Sequence, residues 1–422
     1  MNVRSRSFGT TKNQLLTTNN TQKQNLYYTT PNSKVGSIFG TTKDELDAPD
    51  QSSDQVLLVT IIGLMIFGCM AVYSSIAFFA QSHGTTAVSL VSGHAIKLLI
   101  AFFVMIFISK INYRVLARFS RFAMLLSWGL LIVMHLYGDV SWGAQRSLSI
   151  GSVSFQPTSF AAIALILHVA VLLYEKQEYI KNFKRAFVPI MFWVGVTFVL
   201  IGTEDLSSAA VLMGICILMM FVGRISIPQL SGLVLIGLIG VAGFISISPE
   251  RQSRIDQYVA QITEINDQNF ESAEGYQAQQ AHIAIAQGQL FGVGIGKSTQ
   301  RDFLPAPYND FIFAIIAEEY GIVGAISVIF AYLLILYRGI AVIARQAPDV
   351  LGTLIAFGCT LLISLYAFVN AGVATGLLPV TGLPMPFVSY GGSSMVFAGA
   401  MSGMLLNISR HIANIKTRFY NG

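Results

Sequence analysis

Charge is what this chain has least of. Asp, Glu, Lys and Arg make up 11% of its 422 residues and hydrophobic side chains 54%, whereas soluble domains carry roughly 25% charged residues. That scarcity excludes a soluble globular protein and points to a polytopic membrane protein. It also removes the case for nucleic acid as a partner, because the net charge of +5 is sorted loop by loop, which is a topology signal. Cysteine is nearly absent too. Cys69, Cys216 and Cys359 each fall in a different apolar run, which excludes a disulfide framework or a closely spaced metal site and leaves packing as their expected role. The six histidines form no His-x-x-x-His pair, so a zinc hydrolase has no support. No Gly-rich phosphate loop of the Walker type occurs, which argues against an ATP-driven pump.

What the chain has is long apolar runs. Residues 1–54 come before them, rich in Asn, Thr, Gln and Ser, and are expected to be a disordered cytoplasmic tail. They lack the pattern of a cleaved signal peptide. At about 20 residues per span, ten membrane helices are predicted at 55–80, 93–110, 119–137, 158–175, 187–203, 206–223, 228–248, 311–337, 350–372 and 393–409. The expected fold is therefore all-α, with a membrane domain over 55–412 and a short tail at 413–422. Arg114, Arg118, Arg121, Lys181, Lys184, Arg185, Arg224, Arg338, Arg345 and Arg410 fall in the even-to-odd loops and the C-terminal tail. The short loops after helices one, five and nine hold no basic residue, so both termini are expected in the cytoplasm. Two outer segments are longer, 138–157 and 249–310. The second carries Arg251, Arg254, Lys297 and Arg301; these suit an anionic lipid headgroup, or equally an ordinary solvated loop.

The chemistry gathers at the outer boundary. Asp310 stands where a polar loop becomes the eighth apolar run, and a carboxylate at a membrane boundary costs free energy unless solvated or paired. It could cap the helix N-terminus or take a proton from a hydroxyl presented at the membrane surface. Upstream, Gly288-Gln-Leu-Phe-Gly-Val-Gly-Ile-Gly296 has no βαβ context for nucleotide binding. Its glycines are expected to let backbone approach a headgroup or another loop. Glu318 and Glu319 lie roughly 12–14 Å below Asp310 along a helix and are expected to face a cavity or to hydrogen-bond structurally. Asp205, beside Glu204, sits at another outer helix boundary. The run Leu378-Pro-Val-Thr-Gly-Leu-Pro-Met-Pro-Phe-Val-Ser-Tyr-Gly-Gly-Ser-Ser394 is irregular backbone at membrane depth, tolerated only when buried in protein or lining a cavity. The residues by themselves imply an outward-facing polar cavity with a carboxylate, fed by lipid.

Taken in order, these segments resemble the SEDS family (shape, elongation, division and sporulation) of ten-helix peptidoglycan glycosyltransferases, over residues 55 to 412. The matching motifs are Gly143-Ala-Gln-Arg146 with Phe155-Gln-Pro157, Asp205-Leu206, Gly275-Tyr-Gln277, Phe291-Gly-Val-Gly-Ile-Gly296, Leu304-Pro305 with Asp310-Phe-Ile-Phe-Ala314, Glu318-Glu319, and the Pro-Val-Thr-Gly-Leu-Pro…Ser-Tyr-Gly-Gly-Ser-Ser run. The resemblance implies polymerisation of lipid II at the outer face of the bacterial cytoplasmic membrane, with Asp310 as the base and undecaprenyl diphosphate as the leaving group. It implies substrate contacts at Gln156, Asp205, Gln277 and Ser393. Arg146 is the first candidate to hold the diphosphate, followed by Arg254 and Lys297. Glu318, Glu319, Pro384, Gly391 and Gly392 would be structural or line the cavity. A divalent cation, Mg or Mn, could assist, with no organic cofactor. The implied partners are a cognate class B penicillin-binding protein and other divisome proteins.

The sequence departs from the family pattern in two places. Where the family has Gln-Pro-Ser-Glu and then Lys three residues on, this chain has Gln156-Pro-Thr-Ser159 and Ala162. Ala306 and Tyr308-Asn309 replace the usual Glu and His-Thr ahead of Asp310. Thr203-Glu-Asp-Leu-Ser-Ser, the Leu406-Asn-Ile-Ser-Arg410 ending and the long polar N-terminal tail favour the division branch over the elongation branch. A non-catalytic division scaffold and a lipid-linked oligosaccharide transporter remain as alternatives.

Overall fold

A computed structural model describes residues 53–82, 87–141, 144–150, 153–263, 273–304 and 308–420. The tail expected over 1–54 therefore lies, but for its last two residues, outside the described residues. The helices are α1 (Gln55–Ser82), α2 (Ala87–Lys110), α3 (Tyr113–Arg118), α4 (Ser120–Tyr137), α5 (Pro157–Glu175), α6 (Val188–Gly202), α7 (Leu206–Val222), α8 (Ile227–Ile247), α9 (Pro249–Thr263), α10 (Ala273–Gly288), α11 (Ile312–Tyr337), α12 (Val350–Ala374) and α13 (Ser394–Tyr420). Each of the ten predicted spans corresponds to one of them. Among the described residues eight helices are long and apolar enough to cross a membrane, and α7 is a shorter apolar helix. The protein is an all-α polytopic membrane protein.

Burial sorts these helices into centre and rim. Within their most apolar windows α5 and α12 are each 72% buried, whereas α8 is 11% buried. Small residues allow the central contacts. A Cβ on Gly358 of α12 would stand 2.7 Å from Ile166 of α5 and 2.8 Å from Met219 of α7. On α13, Gly399 and Gly403 lie against the Ala101 and Met105 carbonyls of α2, the close backbone approach that small residues four apart permit between membrane helices.

The ends of the bundle are stitched by polar pairs. At the end where α11 finishes, Arg338 pairs with Asp54 at 2.5 Å and Arg114 with Asp349 at 3.0 Å. Asp349 also accepts from the Tyr113 hydroxyl at 3.0 Å. Burial and this carboxylate push the Tyr113 phenol well above its ordinary pKa. Asn407 of α13 accepts from the Tyr113 N–H and donates to the Ser109 carbonyl.

Three segments hold regular structure that the apolar runs alone do not indicate. Residues 138–157 hold a small antiparallel sheet, β1 (Asp139–Ser141), β2 (Ala144–Ile150) and β3 (Val153–Phe155), in the order β1-β2-β3. Leu148 pairs with Phe155 and Ile150 with Val153. The alternation Ser-Leu-Ser-Ile before Gly151-Ser152 and Val-Ser-Phe after it is a hairpin signal that the long apolar runs overshadow. In the long segment 249–310, α9 and α10 occupy much of the length. Finally, α13 continues through Tyr420, because no Gly or Pro interrupts residues 411–420.

Candidate active site

Asp310 stands one residue before the N-cap of α11. That cap is Phe311 rather than Asp310, and the Phe311 side chain makes no capping hydrogen bond. The half-buried Asp310 carboxylate lies beside the Tyr308 phenol. Burial, then Tyr390 and Asp310, push the Tyr308 hydroxyl up to about 12, so it stays a neutral phenol at physiological pH.

The turn that carries Asp310 is gripped through its main chain. The Tyr390 N–H donates to the Tyr308 carbonyl at 2.7 Å. The Ser389 hydroxyl donates to the Asn309 carbonyl at 2.8 Å and accepts from the Met385 N–H at 2.8 Å. The Asn370 amide of α12 donates to the Asp310 carbonyl at 3.0 Å and to that of Leu383 at 2.8 Å. Three consecutive carbonyls are thereby fixed by α12 and by the Pro/Gly-rich strap between α12 and α13. The strap is itself anchored: the Tyr332 hydroxyl of α11 donates to the Pro386 carbonyl, and Gly68 of α1 leaves room for the backbone of Phe387 and Val388. Phe387 is fully buried with φ +67°, a left-handed conformation that a bulky side chain adopts only when its surroundings over-determine it.

Under the strap lies a cavity of about 40 Å³ whose lining includes Ser159, Ala162, Tyr366, Pro384, Ser389 and Ser394, room for a water or two. The two positions where the chain departs from the family's Glu and Lys thus face the space below the Asp310 turn. Gln156, Ser393 and Gly392 also meet here. The Gln156 N–H donates to the Ser393 hydroxyl at 2.7 Å and its side-chain oxygen accepts from Ser159 at 3.2 Å, while Gly392 lies against the Ser154 carbonyl of β3. A Cβ on Gly391 would press on Ser394.

Asp205, Arg254, Gln277 and Lys297 do not line the cavity, though Asp205 and Ser208 adjoin Tyr366 of its wall. Asp205 is 5% exposed and caps α7, accepting from the Ser208 N–H at 3.0 Å and the Ser208 hydroxyl at 2.7 Å. Arg254 is on α9 and Gln277 on α10, both half-buried, and Lys297 is exposed. Arg146 has its backbone in β2, but its side chain lies outside the described residues.

Glu318 and Glu319 are buried and hold a loop. Glu318 accepts from the Ser298 hydroxyl at 2.5 Å and from the backbone N–H groups of Thr299 and Gln300 at 2.8 and 3.3 Å. Glu319 accepts from Ser74 of α1 at 2.5 Å, and Arg301 donates to the Ser74 carbonyl. Here α11 breaks, with Gly321 at φ +70°. The Glu318 and Glu319 carbonyls accept from Val293 and Gly294, and the Ile322 and Val323 N–H groups donate to Gln289 and Leu290. The close approach expected of the Gly288–Gly296 motif is thus made to the opened backbone of α11.

Four contributors went unselected in the sequence. Asn370, Ser389, Tyr390 and Lys97 surround the turn, directly or through one ring. A lone charge in a membrane run was the available signal for Lys97. Among the described residues no group of three or more His, Cys, Asp or Glu side chains is placed to hold a metal ion.

The profile of the FtsW, RodA and SpoVE family, described as cell cycle proteins, matches residues 54–414. Stage V sporulation protein E of Bacillus subtilis (strain 168) is 35% identical over 364 residues, covering 85% of this chain and 98% of that protein. The probable peptidoglycan glycosyltransferase FtsW of the same strain is 33% identical over 385 residues, covering 86% and 92%. A chain from the structure "Structural coordination of polymerization and crosslinking by a peptidoglycan synthase complex" superposes with a TM-score of 0.69 at 23% identity, covering 85% of this chain and 98% of that one. RodA of Thermus thermophilus does so at 0.60 and 23%, covering 85% and 96%. With nearly the whole membrane domain matched in sequence, the chain belongs to the FtsW/RodA/SpoVE family.

Proposed function

We propose that this protein is a peptidoglycan glycosyltransferase that polymerises lipid II at the outer face of the cytoplasmic membrane, both termini lying inside. The observation that carries the reading is the Asp310 turn, where a carboxylate stands at the head of α11 on a backbone fixed through three successive oxygens. A base must be held in position before its pKa matters. Asp310 takes the proton from the acceptor sugar hydroxyl as that oxygen attacks the anomeric carbon of the donor chain. The bond to undecaprenyl diphosphate breaks, its electron pair leaves with the diphosphate, and the α-linked donor becomes a β-linked glycan. A divalent cation, if used, would enter with the diphosphate oxygens, as magnesium commonly does.

The physiological setting we infer is septal synthesis, with a cognate class B penicillin-binding protein and other divisome proteins as partners. This is supported by the FtsW-named relatives and by the similarity to a chain from a peptidoglycan synthase complex. The test is polymerisation of fluorescent lipid II by the purified protein with its partner, resolved as glycan ladders. Wild type should produce ladders and Asp310→Ala none, with both proteins folded and partner-bound. A second reading, a division scaffold, is favoured by the cavity lined by Ser159 and Ala162, positions where the family pattern has Glu and Lys. It would require that Asp310→Ala support normal septation.

A further inference from the structure

Lys97 lies in the middle third of α2, flanked by Ala95, Ile96, Leu98, Leu99 and Ile100. A lysine at that depth needs a counter-charge or a water-filled space. Among the described residues Lys97 has no ion pair; its recorded partner is the Tyr390 ring, with Nζ 4.8 Å from the centroid. A ring face offsets only part of the cost of an ammonium at membrane depth. His94, on the same helix face three residues earlier, is fully buried and stacks on that ring at 5.4 Å and 22°. Tyr308 meets it edge-on at 5.4 Å and 84°, and the Tyr390 N–H holds the Tyr308 carbonyl. The ammonium is therefore one aromatic ring away from the turn that carries Asp310. No charged side chain lines the cavity under the strap.

The geometry points to Lys97 as the residue that binds the diphosphate of the lipid-linked donor, held at the Asp310 turn by its seat on Tyr390. This rests on the glycosyl-transfer reading and adds to it the cation that Ala162 does not supply. Lys97 stabilises the negative charge that builds on the departing diphosphate as the glycosidic bond breaks, while the proton goes to Asp310. A preorganised cation where charge develops is the usual means of lowering such a barrier.

The test is direct binding to the full-length protein in nanodiscs, using undecaprenyl diphosphate, undecaprenol and phosphatidylglycerol as probes, with lipid II polymerisation measured in parallel. Lys97→Met should weaken undecaprenyl diphosphate about 10- to 100-fold, the size of one charge-assisted contact, and leave undecaprenol unchanged. Lys97→Arg should retain most of the affinity. Should Lys97→Met fold poorly, Lys97→Gln removes the same charge and is read in the same way. Unchanged diphosphate affinity in a folded, uncharged variant overturns the inference, as does an equal loss for phosphatidylglycerol. If wild type polymerises while the variants bind normally, the inference falls and the glycosyltransferase reading stands. If wild type neither binds the diphosphate nor polymerises, both fall.

Discussion

Asp205 and Asp310 look alike in the sequence, each an acid at the head of an apolar helix, yet they are used in opposite ways. Asp205 gives both carboxylate oxygens to Ser208, while Asp310 sits one residue before the N-cap of its helix, on the turn held by Asn370, Ser389 and Tyr390. Asp205→Ala should therefore cost about 0.5–2 kcal/mol of stability, as lost caps do, and leave the polymerisation rate of the folded protein intact. Asp310→Asn should leave the melting temperature nearly unchanged and abolish polymer; thermal melts and glycan gels separate the two. Glu318 is a third case. Glu318→Ala strands several buried donors at about 1–3 kcal/mol each, so a large drop in melting temperature is expected. His282 on α10 adds a pH dependence, since burial holds its pKa below the ordinary 6.5. The unfolded chain then takes up the proton more readily, so stability should fall as pH drops through 6.5. His282→Gln should flatten that acid sensitivity in melts recorded between neutral and mildly acidic pH. The sequence marked Asp310 as the residue to watch because a carboxylate at a membrane boundary is rare. It could not separate cap from base, a matter of one residue in where the helix starts.

At the scale of elements, the apolar run 311–337 reads as one helix, and its break at Gly321 is invisible because hydrophobicity continues across it. The Gly288–Gly296 motif was legible as a place of close approach, but its target was not, since the contact joins segments distant in sequence, mostly through backbone groups and the Glu319 carboxylate. Gly321→Ala forces a side chain into φ +70° and onto the Leu290 carbonyl. It should lower the melting temperature and expose the 289–300 loop to limited proteolysis. Gly63, with open space around its Cβ, is the control whose change to Ala should do neither.

The molecule as a whole was the easiest part to read. The ten apolar spans follow from apolar length, a signal that needs no tertiary contact, and each corresponds to a helix among the described residues. The burial order of the helices was less legible, because α5 and α8 have similarly apolar sequences while one is central and the other peripheral. With both termini inside as proposed, a cysteine replacing exposed Lys297 should react with a membrane-impermeant maleimide in intact spheroplasts. One replacing Arg185 should react only after lysis.

The grip on the Asp310 turn carries a further consequence, for how the sequence can drift. Every hold on residues 308–310 that comes from Asn370, Ser389 and the Tyr390 amide lands on a main-chain oxygen. Such a grip reads the count of residues, not their names. Tyr308 and Asn309 can therefore stand where relatives carry other side chains without moving the base. Inserting or deleting a single residue between Leu304 and Asp310 would slide another residue into the base's place, and should silence the enzyme even where substitutions at the same positions pass unnoticed.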